Sequence, residues 1–333
     1  MSTDSPSIPR FIMGMSRGGT TWMCRSLNTH SEVAAFGETW FWGRLHVKPD
    51  AEGMYDQVAF DRVVALLKEC RFDSTVGKQG VGWMKNIKRE DLSDLIDESV
   101  GRLQPPVSVV ETFCTLARAI ARAEGKPHWV EKTPNHLIWA DRIFNQLPDA
   151  RAVIMLRDPY AFMLSSKHQQ DRGDAARREK HARRYHPLGC ALVWRSYLRA
   201  ALALAEQYPD QVKLVRLDDV QENPEKVLME VQEFLLLELD PNIVALPQGE
   251  NSSFENQPKP SVSGSEVFWM NRVAQRDMIR AQYDVLPVSR DPVGFAESFA
   301  TLPRWLFRTY VDLQKRSESA SPVRYVWRWL SSG

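Results

Sequence analysis

The chain has 333 residues, of which 43% are hydrophobic and 26% charged, and its formal net charge at pH 7 is +1. This length predicts one large α/β domain, or one domain with a cap, with a sizeable core. The near-neutral charge argues against the basic footprint of a nucleic-acid-binding protein. Four widely separated cysteines without a C-x-x-C spacing indicate neither a disulfide scaffold nor a zinc site. Residues 1–10 lack an apolar signal segment, and no apolar run approaches the ~20 residues of a membrane span, so we expect a cytoplasmic protein.

Short apolar runs alternate with helical patterns along the chain, which predicts an α/β protein. The pattern predicts strands at 11–15, 33–36, 128–132, 151–156 and 212–216, and helices at 20–29, 57–70, 90–103, 108–124, 136–147, 159–170, 188–207 and 224–237. Strands separated by helices favour a parallel sheet with right-handed crossovers. Binding sites in such sheets lie at the carboxyl ends of the strands. Residues 248–264 give the strongest loop signal.

The segment from Phe11 to Trp22 predicts a strand, a glycine turn and a helix start. Gly14 and Gly19 have the spacing of the phosphate loop of nucleotide kinases, in which backbone amides and a helix N-terminus cradle an anion. A kinase loop continues with Lys and then Ser or Thr, whereas two threonines follow Gly19, and the positive charge lies inside the loop at Arg17. Five residues are therefore candidate anion ligands: Arg17, Gly18, Gly19, Thr20 and Thr21. The alternative is an ordinary strand–turn–helix.

A second candidate phosphate site follows the predicted strand 151–156. Arg157 leaves the end of this strand, Pro159 suits the first turn of a helix, and Ser165 lies about two helical turns further on. A cation and a hydroxyl in this arrangement could hold a second phosphate. The alternative is a capped helix without a ligand.

Two further charged residues stand at predicted strand ends. Lys132 ends strand 128–132, from where it would reach toward the loop at 14–21; the alternative is a solvated turn in which Glu131 and Lys132 pair on the surface. Glu38 follows the second strand, and a carboxylate near an anion loop suits a general base. The alternative for Glu38 is an acidic residue at a helix N-cap.

Together these motifs resemble those of sulfotransferases that use 3'-phosphoadenosine 5'-phosphosulfate. The stretch Arg17–Trp22 looks like their 5'-phosphosulfate loop, and Arg157 with Ser165 has the spacing of their 3'-phosphate site. The segment Arg216-Leu-Asp-Asp-Val, followed by Asn223-Pro224, is similar to their Arg-Tyr-Glu-Asp-Leu segment. The resemblance covers residues 10–240 in order.

The resemblance implies a P-loop-NTPase-like three-layer α/β fold, with a central parallel sheet flanked by helices. It also implies one sulfotransferase domain over residues 1–333, in which 10–240 carry the motifs and 241–333 form C-terminal helices and a covering loop. The implied reaction moves a sulfuryl group from the donor to a hydroxyl or amine of an acceptor. No metal ion is expected in it, because a sulfuryl group carries less negative charge than a γ-phosphoryl group.

The resemblance also implies roles for single residues. Arg17 would contact the 5'-phosphosulfate with Gly18, Gly19, Thr20 and Thr21, Trp22 would stack on adenine, Lys132 would stabilise the transferring group, and Arg157 and Ser165 would bind the 3'-phosphate. The Arg-Lys-Gly segment that closes the 3'-phosphate site in the cytosolic branch is absent. The segment 256–261 is a candidate substitute, with Lys259 near the donor.

The resemblance leaves the base to be assigned by branch. Cytosolic sulfotransferases place a catalytic His two residues after the strand-end Lys, where this chain has Pro134. Tyrosylprotein sulfotransferases carry a Gly-Glu-Glu-Thr segment whose second Glu is the base, and an ungapped alignment of the loops puts that Glu on Glu38. We therefore expect Glu38 to be the base, with His136 and His128 as alternatives.

Two rival functions remain. A P-loop small-molecule kinase is disfavoured because the loop lacks its Lys and because strand 151–156 is followed by Arg157 before any acid. A non-catalytic nucleotide-binding protein is disfavoured because Glu38 and Lys132 occur together.

The acceptor stays open at this stage: a phenol or other small molecule, a glycan, a lipid or a peptide all fit. The basic stretch 172–184 is either a solvated helix face or a rim that attracts an acidic acceptor. The aromatic run 40–42 either lines the acceptor pocket or packs in the core. The aromatic and basic stretch 321–330 packs against the body, packs against a second subunit of a homodimer, or lies on a membrane surface.

Overall fold

The computed structural model describes residues 8–43, 47–69, 84–88, 90–168, 185–246 and 260–316, without the side chains of 310–316. The chain divides into two compact units. The first comprises Met1–Leu156 with Ala203–Leu246, and the second comprises Arg157–Leu202 with Pro247–Gly333.

A five-stranded parallel sheet forms the centre of the first unit, in the order β2-β5-β1-β6-β7. Its strands are β1 (Arg10–Gly14), β2 (Val33–Gly37), β5 (His128–Lys132), β6 (Arg151–Leu156) and β7 (Val212–Arg216). A separate antiparallel ribbon joins β3 (Met54–Tyr55) and β4 (Val107–Ser108). Every residue of β1 is buried, as expected for a strand at the centre of a parallel sheet with both faces covered. The prediction of a parallel α/β sheet is confirmed.

Helices fill most of the remaining described chain. They are α1 (Thr20–Asn28), α2 (Gln57–Glu69), α3 (Leu92–Glu98), α4 (Val109–Ala123), α5 (Ala140–Gln146), α6 (Pro159–Lys167), α7 (Pro187–Gln207), α8 (Leu217–Glu222), α9 (Pro224–Phe234), α10 (Gly264–Arg280) and α11 (Pro292–Arg316). The single helices predicted over 90–103 and 136–147 are each part 3-10 turn, at Val100–Arg102 and Pro134–Trp139.

The two faces of the sheet carry different cores, because successive side chains of a strand point to opposite faces. One face packs aliphatic residues such as Ile12 and Val130 with Met23 and Leu27 of α1. The other face packs an aromatic cluster: Phe11, Phe41, Trp42, Phe113 and Trp129. In β5, Val130 therefore faces the aliphatic core and Trp129 faces the aromatic cluster. By the same alternation, Lys132 is on the side of Val130 and Glu131 is on the side of Trp129.

The register of the sheet aligns the strand ends that the sequence motifs follow. Gly37 of β2 and Ile12 of β1 both pair with Lys132, and Gly14 pairs with Met155 of β6. Because these strands are parallel, their carboxyl ends lie at one edge of the sheet. This edge carries the loop after β1, the residues after β2 and the end of β5.

The described part of the second unit is helical. Asp158 caps α6 by accepting a hydrogen bond from the Ala161 amide, and Ser263 with Glu266 forms a capping box at the start of α10. Of the described helices, α7 is the one whose length and apolar composition would allow it to cross a membrane. Its Arg195 and Arg199 each donate to Asp277 of α10 at 2.9 Å, so part of this helix packs against protein through polar groups.

Candidate active site

The turn between β1 and α1 has the backbone geometry of an anion-binding loop. Arg17 and Gly19 adopt left-handed conformations, with φ of 69° and 89°. Gly19 is the N-cap of α1 and has no side chain with which to cap the helix. The first amides of a helix lack partners within the helix, and the helix N-terminus favours negative charge. A loop of this shape can present its amides to an anion, and it carries Arg17, Thr20 and Thr21, the residues expected to bind one.

Glycine is required at two positions of this loop by close packing. A Cβ at Gly18 would lie 2.8 Å from the Met15 carbonyl oxygen, and one at Gly19 would lie 2.6 Å from Cδ1 of Leu217. Glycine at these positions lets the turn pack closely against Met15 and Leu217, which holds its shape. These residues fit the 5' end of the expected donor.

Lys132 and Glu38 meet at the same sheet edge. Lys132 Nζ lies 2.7 Å from Glu38 Oε1, the Lys132 side chain is fully buried, and the Glu38 side chain is 26% exposed. The surface pair of Glu131 with Lys132, the alternative interpretation of this segment, is wrong because both residues are buried. The partner of Lys132 is the carboxylate expected to be the base.

Glu131 forms a second buried network, which sequence reasoning missed. Its Oε1 accepts from the Thr39 amide at 3.1 Å, the Thr39 hydroxyl at 2.8 Å and the Thr133 hydroxyl at 2.6 Å, and its Oε2 lies 3.0 Å from His136 Nδ1. Burial alone raises the pKa of Glu131, but His136 and these donors more than offset it, so the pKa lies below its usual value. Glu131 is thus a fully buried carboxyl group that accepts three hydrogen bonds.

The two histidines considered as alternative bases are placed differently. His136 is buried between Glu131 and the backbone amide of Trp42, whose nitrogen lies 3.4 Å from Nε2 of the ring. His128 begins β5, at the opposite end of that strand from Lys132. Burial lowers the pKa of His128. Glu38 contacts Lys132 directly, whereas His136 contacts Glu131 and Trp42; the assignment of the base to Glu38 stays a prediction.

The aromatic residues near the site have mostly structural contacts. Trp22 is partly buried against the aliphatic core, and its indole N–H donates to the Leu246 carbonyl at 2.7 Å. Phe41 and Trp42 are buried in the aromatic cluster, so they pack as core, whereas Trp40 is partly exposed with φ of 55°. Stacking of Trp22 on adenine stays a prediction.

The expected 3'-phosphate ligands lie in the second unit. Arg157 directly follows β6, and its carbonyl accepts from the Trp194 indole at 2.9 Å. Ser165 is buried on α6. Asp158 does cap α6, as the alternative interpretation of this segment expected. The binding roles of Arg157 and Ser165 stay predictions. Lys259 and the stretches 172–184 and 321–330 lie outside the described residues. Within the described ranges, no group of three or more His, Cys, Asp or Glu is arranged to hold a metal ion.

The fold and this edge define a class: a P-loop-like α/β protein with an anion-binding loop and a Lys–Glu pair beside it. Comparison with known proteins agrees. The model of the sulfotransferase family matches residues 9–241, more than half of the chain. The protein belongs to the sulfotransferase family, as its motifs predicted.

Individual relatives are more distant. The nodulation protein NoeE of Sinorhizobium fredii (strain NBRC 101917 / NGR234) is 26% identical over 176 residues, covering 50% of this chain and 33% of that protein. The chain thus spans about a third of the length of this curated relative.

Two solved structures align with most of this chain. The sulfotransferase domain from the curacin biosynthetic pathway is 16% identical and aligns over 84% of this chain and 100% of that chain, with a TM-score of 0.51. The sulfotransferase domain from the Synechococcus PCC 7002 olefin synthase is 16% identical and aligns over 90% of this chain and 98% of that chain, with a TM-score of 0.48. At these identities the likeness concerns the fold alone, and the curacin-pathway domain supports it.

Proposed function

We propose that this protein transfers a sulfuryl group from 3'-phosphoadenosine 5'-phosphosulfate to a hydroxyl or amine of an acceptor, with Glu38 as the general base. One observation carries the proposal: the contact of 2.7 Å between Glu38 and Lys132, at the sheet edge that also carries the anion loop. Family membership supports the reaction class, and the resemblance of the loop supports the donor.

The residues divide the chemistry between them. The donor supplies the sulfuryl group and a phosphate leaving group. The acceptor oxygen bonds to sulfur as the bond from sulfur to the leaving oxygen breaks, and Glu38 accepts the acceptor's proton. Arg17, Lys132 and the loop amides stabilise the negative charge that grows on the leaving phosphate. An ammonium has three N–H donors, so Lys132 can hold Glu38 and also donate to that phosphate once the donor displaces the groups that bury its side chain.

Three further assignments belong to the proposal. Arg157 and Ser165 bind the 3'-phosphate, Trp22 contacts the adenine, and Lys259 lies near the donor; the resemblance of the sequence motifs supports them. The acceptor is a small molecule, a glycan or a lipid. A cytoplasmic location, a homodimer and contact of the C-terminal stretch with a membrane surface stay predictions.

The test of this proposal compares the wild type with Glu38→Gln, using donor labelled in its sulfuryl group and a panel of phenols, glycans and hydroxylated lipids. Loss of a general base typically slows turnover by about 10²- to 10⁴-fold. We expect that loss in Glu38→Gln, with an unchanged Kd for adenosine 3',5'-bisphosphate by calorimetry.

The matched control is Glu32→Gln, because Glu32 is exposed just before the other end of β2. It should keep wild-type turnover. Near-normal turnover of Glu38→Gln would contradict the assignment of the base, and a wild type that labels no acceptor would contradict the proposed reaction.

A further inference from the structure

The last two residues of β5, Glu131 and Lys132, each bind one residue of the segment that follows β2. Lys132 contacts Glu38 at 2.7 Å, and Glu131 holds Thr39 through both its amide and its hydroxyl, at 3.1 and 2.8 Å. Adjacent strand residues face opposite sides of a sheet. The segment after β2 is therefore held at Glu38 by Lys132 and at Thr39 by Glu131, from opposite sides of the sheet.

We infer that Glu131 is a positioning residue, which fixes Glu38 opposite Lys132 by holding Thr39 and, through His136, the amide of Trp42. This inference rests on the proposed function. Its basis is a fully buried carboxylate whose donors follow each member of the Glu38–Lys132 pair: Thr39 follows Glu38 directly, and Thr133 follows Lys132. A buried charge held by this many donors resists displacement, because breaking one contact leaves charge unpaired.

His136 extends this network of contacts to Trp42, the last residue of the aromatic run 40–42. The Trp42 amide donates to Nε2, which must therefore offer a lone pair, and we assign the ring proton to Nδ1 on that ground. Nδ1 lies 3.0 Å from Glu131 Oε2, but the two atoms are not aligned as a hydrogen bond. Thr39 and Trp42 are thus tied to one carboxylate. The inference gives His136 a supporting role, because its ring lies between Glu131 Oε2, at 3.0 Å, and the Trp42 amide, at 3.4 Å.

Glutamine at position 131 would break this arrangement without changing its size. Three donors converge on Oε1, so the amide oxygen would take that side and the NH₂ group would face His136. The ring would then have to accept at Nδ1 and carry its proton on Nε2, against the N–H of Trp42. Small misplacements of a catalytic group can cost about 100-fold in rate.

A double-mutant cycle tests the inference. Glu131→Gln should lower kcat by about 10- to 100-fold with less than about a threefold change in KM for the donor. In the Glu38→Gln background the same change should slow turnover by less than about twofold, because two residues that act as a unit are not additive. An equal fold-loss in both backgrounds, or no loss in the wild-type background, would overturn it.

Two variants at Thr39 give an independent arm. Thr39→Val removes the hydroxyl that donates to Glu131 and should lower kcat, whereas Thr39→Ser keeps the hydroxyl and should restore most of it. Equal rates for the two variants would contradict the inference. The control is Glu124→Gln, because Glu124 is another buried carboxylate that accepts three amides, from Lys85, Asn86 and Ile87, outside the site. It should lower Tm and leave kcat unchanged.

The ring tautomer provides a readout apart from activity. Nitrogen NMR of His136 should show the proton on Nδ1 in the wild type and on Nε2 in Glu131→Gln. If the wild type transfers no sulfuryl group, the proposed function fails and the tautomer decides the inference. A wild-type ring protonated on Nε2 would overturn it.

Discussion

Arg17 is held in the left-handed region, with φ of 69°, although it has a full side chain. Such a conformation costs a non-glycine residue on the order of 1–3 kcal/mol and persists where the surrounding structure enforces it, often at functional sites. Here the residue lies between a strand and the uncapped start of α1. The strain supports the proposal that Arg17 is placed for an anion and not for local stability.

Replacing Arg17 should weaken donor-side binding. A hydrogen bond to a charged group contributes about 1.5–3 kcal/mol, and each 1.4 kcal/mol is about tenfold in Kd. We expect Arg17→Ala to raise the Kd for adenosine 3',5'-bisphosphate by about 10- to 100-fold in calorimetric titrations. The Kd of Arg17→Lys should lie between those of the wild type and Arg17→Ala, because lysine keeps the positive charge but lacks the planar guanidinium group.

The control for this variant is Arg62→Ala, because Arg62 is exposed on α2. It should bind like the wild type. Equal affinities for Arg17→Ala and Arg62→Ala would contradict a role of Arg17 in the loop.

Glu38 and Lys132 could be predicted as site residues from the sequence, whereas Glu131 could not be recognised so easily. The strand-end positions of Glu38 and Lys132 were visible in the chain, and the structure brings them into contact. Glu131 was missed because it stands next to Lys132 and suggested a surface pair. The alternation of side chains along β5 could have revealed it. Neighbouring strand residues face opposite sides of the sheet, so Glu131 and Lys132 could not both lie on the same side.

At the scale of elements, the five strands of the sheet were predicted to within one or two residues. Short apolar runs bounded by turn signals, such as 151–156, are typical of the fully buried strands of a parallel sheet. The order β2-β5-β1-β6-β7 could not be predicted, since it depends on pairing between distant segments. The short helix α8 was missed because six residues carry too little periodic signal.

The close packing of β2 on β5 makes a prediction about stability. A Cβ at Gly37 would overlap the carbonyl oxygen of Lys132, its partner in the register. Overpacking of this kind costs about 1–3 kcal/mol. We expect Gly37→Ala to lower the free energy of unfolding by that amount in urea titrations and to reduce turnover by displacing Glu38.

Gly101→Ala is the matched control, because a Cβ there would meet its nearest neighbour, Asp97 Oδ1, at an ordinary 3.5 Å. It should be neutral or slightly stabilising, since alanine restricts the unfolded chain. A Gly37→Ala protein as stable as Gly101→Ala would contradict the tight register of the two strands.

At the scale of the whole molecule, the chain is a member of the sulfotransferase family whose first unit carries the loop, Lys132 and Glu38. The expected 3'-phosphate ligands Arg157 and Ser165 belong to the second unit. The division into two units, with one segment of chain returning to the first, could not be predicted from local patterns. It depends on contacts between segments far apart in sequence.

The nucleotide preference tests the central claim most directly. Calorimetric titration of the purified protein with adenosine 3',5'-bisphosphate in EDTA, and separately with Mg-ATP, compares the proposed donor's product with a kinase substrate. The account predicts tight binding of the bisphosphate without metal, with at least about a tenfold preference over Mg-ATP, or about 1.4 kcal/mol. A preference for Mg-ATP would contradict it.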